Sequence, residues 1–193
     1  MKENFFKANR KMILKLMLTH LVMTIFGLMV FIPFNLDNQS MLTFLIVGSI
    51  FAIILYMFLI DVDMWYFGAE DKLRVDAGRE RYAPFKGFFI GLAAELPSIV
   101  IGVVYAVVSV LYEYYRAYPS GSSFGAAKII TWFITFLWNG MYLGVERTTF
   151  GGGVPLFYLL IPLLPASFAG LTYWLGLKNS PLLKPPAREK KQK

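Results

Sequence analysis

Five apolar stretches, at about 12–34, 41–60, 87–112, 126–145 and 155–176, hold only three fully charged residues between them: Lys15, Glu95 and Lys128. No other feature constrains the fold as tightly. About 20 apolar residues in a helix cross the hydrocarbon layer of a bilayer, and a water-soluble core has no use for uninterrupted apolar runs of this length. The predicted fold class is an all-α integral membrane protein, five apolar segments forming one helical bundle. The bundle is expected over residues 1–177, with a charged cytoplasmic loop at 61–86 and a basic, Pro-rich, disordered tail at 178–193.

The basic residues lie between or beyond the apolar stretches, so the formal charge of +7 reads as topology and contact with anionic lipid headgroups rather than nucleic-acid binding. Lys2, Lys7, Arg10, Lys11 and Lys15 place the N-terminus in the cytoplasm, and the first apolar run is too long and ends wrongly for a cleavable signal. Lys72, Arg74, Arg79, Arg81 and Lys86 place the 61–86 loop on the same side. If stretches three, four and five all cross, the basic tail ends outside and the positive-inside bias is poor. If the third stretch is kinked or re-entrant at Glu95-Leu96-Pro97 and returns, both termini lie inside and the bias is strong. A single tilted crossing is the alternative, since proline also kinks ordinary spans.

Glu95 is the leading candidate for chemistry. An acid within an apolar stretch is costly, so it faces a bundle interior or a wet cavity, where it pairs or titrates. Pro97 beside it frees backbone carbonyls. His20, the one histidine, is either a titrating partner for Glu95 or a neutral imidazole bonded across helices. Asn139 reads as interhelical polar glue. Asp61, Asp63, Glu70, Asp71 and Asp76 lack the spacing of a calcium loop and read as a solvated, self-paired set. Lys72 to Tyr82 reads as a small hairpin turning at Gly78, with its Lys and Arg, and Lys86, against lipid headgroups or a partner.

Gly87-x-x-x-Gly91 and Gly140-x-x-x-Gly144 permit close helix contact, within the chain or in a homo- or hetero-oligomer; Ala166-x-x-x-Gly170 does the same. With no cysteine, no nucleophile–base arrangement and no metal-ligand spacing, the sequence predicts no enzyme, no cofactor and no metal site.

The segment WYFGAEDKLRVDAGRERYAPFKGFFIGLAAELP (65–97) resembles the central loop of a family of small multi-spanning membrane proteins from Gram-positive anaerobic bacteria. The likeness extends loosely to LTHLVMTIFGLMV (18–30), WNGMYLG (138–144) and YWLGLKN (173–179). The resemblance implies a multi-pass protein of a bacterial cell membrane with a cytoplasmic tail, and carries no activity. Two functions stay open: a transport-related protein with a solute or proton site near Glu95, and a non-enzymatic scaffold or assembly protein using the basic loop and tail.

Overall fold

The structure is a computed structural model, and it describes residues 5–31, 39–118 and 121–180. All regular structure among these residues is helical: α1 (Phe5–Phe31), α2 (Gln39–Asp76), α3 (Lys86–Ala94), α4 (Leu96–Tyr115), α5 (Gly121–Trp138), a 3-10 turn (Gly140–Tyr142), α6 (Leu143–Phe150), α7 (Pro155–Leu160) and α8 (Leu163–Leu177). By length and composition, four helical stretches can cross a membrane: Phe5–Val30, Leu42–Asp76, Leu96–Tyr115 and Pro155–Leu177. Apolar side chains such as Ile25, Phe51, Val103 and Val110 face outward, while His20, Thr24, Glu95 and Ser98 are buried. A polar interior under an apolar surface suits lipid rather than water as the surrounding solvent.

The second span is much longer than the stretch at 41–60. α2 continues to Asp76 without a break, so at 1.5 Å per residue it is about 57 Å long and outreaches a bilayer. The expected hairpin over 72–82 is absent. Lys72–Asp76 is the last turn of α2, and Gly78, at φ 68°, closes it: its N–H donates to Val75 O at 2.9 Å, and Arg79 N–H donates to Arg74 O at 2.9 Å. That is a Schellman cap, which needs a left-handed residue just past the helix end. The tail is helical to Leu177, and residues beyond 180, with the disorder expected for them, lie outside the described residues. So does the whole 32–38 connection.

Close contacts at glycines fix the directions of the helices. α1 and α2 are antiparallel, with Gly48 against Val30 and Lys15 paired to Asp63. Gly87 meets Tyr173 and Ala169, Gly91 meets Ala166, and Gly102 meets Tyr158. α3 and α4 together therefore run antiparallel to α7 and α8 over their shared length, and the third apolar stretch does not double back. Its helix is interrupted at Glu95 alone. Pro97 follows in the first turn of α4, where a missing N–H is tolerated.

The reversal lies in the fourth stretch. α5 descends beside α4, with Lys128 Nζ 3.3 Å from Glu113 and Trp138 Nε1 2.8 Å from Ser98 Oγ. At the level of His20 the helix ends. The 3-10 turn passes Thr24, Gly27 and Leu28, and Gly144 then packs on Leu45 and Ser49 near the start of α2. α7 begins at the end from which α5 came. Lys7, Arg10, Lys11, Lys15, Lys72, Arg74, Arg79, Arg81, Lys86 and Lys178 thus share one end of the bundle, while Arg116, Lys128 and Arg147 lie toward the other.

The small-residue motifs are consumed by these contacts. A Cβ on Gly68 would lie 2.2 Å from Tyr173 O, and one on Gly176 would lie 2.2 Å from Trp65 O. Only hydrogen fits there. Gly87 and Gly91 seat α3 on α8, and Gly140 and Gly144 seat the turn and α6 on α1 and α2. Of the two uses the sequence allows these four glycines, packing within the chain is the one seen here.

Candidate functional site

Three elements converge on Glu95. α1 brings His20, α2 brings Tyr56, and the junction of α3 and α4 carries Glu95 itself, with Ser98 on the same face three residues later. Glu95 and His20 are each 2% exposed. His20 Nδ1 lies 3.0 Å from Glu95 Oε1, Tyr56 OH donates to the same oxygen at 2.8 Å, and Ser98 Oγ donates to Oε2 at 2.6 Å. The tip of α5 completes the group. Trp138 Nε1 donates to Ser98 Oγ at 2.8 Å, while its backbone carbonyl accepts from Thr24 Oγ1 at 2.8 Å and faces His20 Nε2 at 3.3 Å.

The bonding order follows from what each group is able to do. An indole N–H only donates, so Ser98 accepts from Trp138 and must direct its own proton to Glu95. A carbonyl only accepts, so His20 Nε2 carries a proton. One proton is then shared between Nδ1 and Oε1. Glu95 also accepts from Tyr56 and Ser98, so both of its oxygens are engaged. The Trp138 indole stacks on the imidazole at 5.6 Å between ring centres with planes 23° apart, and the Tyr56 ring stands edge-on to it.

Of the residues expected to form a polar site, Glu95 and His20 are joined directly, and Pro97 sits one turn into the junction. Asn139 does not bridge helices. Its Nδ2 donates to Thr135 O at 3.0 Å within its own helix end, and its Oδ1 is buried without a partner among the described residues. The chain turns immediately after α5, so Asn139 is used to close the helix instead. Tyr56, Ser98, Thr24 and Trp138 were not legible as site residues. Ser98 alone carried a signal, the i,i+3 spacing from Glu95.

A second charged cluster corrects the reading of the acidic residues. Asp71 is 1% exposed rather than solvated. Lys86 Nζ reaches it at 2.6 Å, Tyr173 OH donates to it at 2.8 Å and Arg74 Nη1 lies at 3.2 Å. Asp61 is also buried. Of the basic residues expected to meet lipid or a partner, Lys86 and Arg74 are committed to Asp71 and Glu80, and Lys72 pairs with Asp76. Arg79 and Arg81 stay exposed. The cluster ties the projecting end of α2 to α3 and α8, and chemically it is a clamp. Compared with protein-family models, curated proteins and solved structures, the chain matches none, so the likeness of residues 65–97 rests on the sequence alone.

Proposed function

We propose that this is a transport-type membrane protein in which the Glu95–His20 pair is a proton-binding site. In this reading α1, α2, α3 with α4, and α7 with α8 cross the bilayer, and α5 and α6 form a hairpin that enters from the far face and returns to it. The end rich in Lys and Arg is cytoplasmic, in keeping with the positive-inside rule. The observation that carries the reading is the half-helix: α5 stops at mid-depth and aims its last carbonyls at an imidazole paired with a buried acid. Interrupted helices whose ends meet charge near the midplane are the usual construction of solute and coupling-ion sites.

The rival reading, a scaffold held by an inert clasp, is favoured by one observation: each polar atom of Glu95 and His20 already has a partner. A single measurement separates the two. With one histidine in the chain, 15N-histidine labelling gives one imidazole to observe by NMR in lipid nanodiscs. A proton-binding site changes its nitrogen resonances between pH 5 and 9, and the change is altered by Glu95→Gln. An imidazole that stays constant over that range defeats the transport-type reading and leaves the scaffold.

A further inference from the structure

The two arms of the α5–α6 hairpin, with the start of α7, enclose a cavity of about 390 Å³. That lies within the range of small-molecule sites, roughly 300–1,000 Å³. Trp132, Phe136, Leu143 and Tyr158 wall it, and Glu146 and Arg147 supply its charges. The two differ in depth. Glu146 is buried and Arg147 is exposed.

The cavity is built rather than incidental. Gly151, Gly152 and Gly153 all hold left-handed φ, at 77°, 90° and 74°, a run open only to glycine. This carries the loop tightly across the cavity rim. Tyr105 OH donates to Gly153 O at 2.6 Å, and Val154 N–H donates to Glu146 Oε1 at 3.1 Å. A carboxylate accepts about four hydrogen bonds, so acceptor positions stay open on Glu146 beside the Val154 N–H. Arg147 spends one N–H of its five-donor fork on Gly151 O, at 3.1 Å.

We infer that this cavity binds a small zwitterion, its ammonium group seated on Glu146 among the aromatic walls and its anionic group held at the mouth by Arg147. Opposite charges at two depths favour a molecule that carries both over a simple cation, and the walls accept an ammonium through their ring faces. Two sources offer that chemistry: a free apolar amino acid, and the phosphoethanolamine headgroup of a lipid. The inference does not rest on the proton reading of Glu95, because it is tested by binding alone.

The test uses the full chain in nanodiscs, with tryptophan fluorescence as the readout and three soluble probes: leucine, glycerophosphoethanolamine and phenethylamine. Either leucine or glycerophosphoethanolamine is expected to saturate, and whichever does names the source. Phenethylamine, which lacks the anion, should bind at least tenfold more weakly. Arg147→Gln should weaken the saturating zwitterion at least tenfold, as should Glu146→Gln. Because Glu146 also fixes the loop, Arg147→Gln at the exposed mouth decides the matter if Glu146→Gln does not fold. No saturation by either zwitterion, phenethylamine binding as tightly, or Arg147→Gln binding as the parent does would each overturn the inference.

Discussion

Removing His20 and Glu95 singly and together tests whether they form one unit. In His20→Leu the Glu95 carboxyl keeps Tyr56 and Ser98 but loses its imidazole partner, at 3.0 Å, inside a bundle where it is 2% exposed. Stripping one member from a buried ion pair costs about 3–5 kcal/mol. Glu95→Leu should cost less, about 1–3 kcal/mol. The ring can then turn neutral, keep Nε2–H on Trp138 O and accept from Tyr56 OH, which stands 3.4 Å from Nδ1. The double variant strands no charge, so its loss should fall short of the sum of the singles by about 2 kcal/mol, within the range for groups in contact. Reversible unfolding in dodecylmaltoside micelles with rising SDS, followed by circular dichroism, measures all four proteins. If the singles add to within about 0.5 kcal/mol, the two residues act independently and the pair reasoning is refuted.

Three other outcomes follow from the packing. Gly68→Ala, whose Cβ would lie 2.2 Å from Tyr173 O, should lower stability by about 1–3 kcal/mol, whereas Gly125→Ala, whose nearest neighbour is Tyr112 at 3.4 Å, should be neutral or stabilising through helix propensity; thermal unfolding in detergent reports both. Asp71→Asn should cost about 2 kcal/mol or more, since Lys86 and Tyr173 lose their acceptor. Asp76→Asn, with a side chain 56% exposed, should change little, and equal effects would contradict the clamp. The cysteine-free chain also permits single cysteines in intact cells. Ser123→Cys and Thr149→Cys should react with an impermeant thiol reagent from outside, and Ala77→Cys and Lys178→Cys only after the cells are opened; opposite sidedness for Ser123 and Thr149 would exclude the returning hairpin.

The helical, membrane-embedded character was legible because it follows from apolar run length alone, and Glu95 and His20 stood out as polar residues in apolar surroundings. Two features were not legible, each for a physical reason. The charged end of α2 reads as a loop because Asp71 and Asp61 look solvated in a sequence. Asp71 is buried because Lys86 and Tyr173, distant along the chain, arrive beside it. From sequence the third stretch reads as kinked or re-entrant, with a single tilted crossing as the alternative, because Pro97 is a visible breaker. In the fold Pro97 sits in a first helical turn, where it breaks nothing, and the chain reverses at Asn139-Gly140, which carries no proline. What marks the reversal is close contact: Gly140 against Thr24 O, and Gly27 against Met141 backbone. Such contacts exist only between elements already placed.

The reversal and the buried pair have a common cause. A helix ending at mid-depth leaves its last carbonyls without intrahelical partners, and no water is available there to satisfy them. Thr135 O is met by the backbone and side-chain N–H groups of Asn139, and Asn139 O by Tyr142 N–H. Trp138 O is met by Thr24 and His20. For His20 to donate there while also facing Glu95, the pair must hold a proton at each ring nitrogen or share one across Nδ1 and Oε1. If the pair gives up that proton, the Glu95 carboxylate and the Trp138 carbonyl must compete for the one ring N–H that remains, and one of them keeps only its hydroxyl donors. On the proton-site reading proposed above, proton occupancy and the docking of α5 are linked through one side chain, a linkage that an inert clasp built from neutral groups would not have.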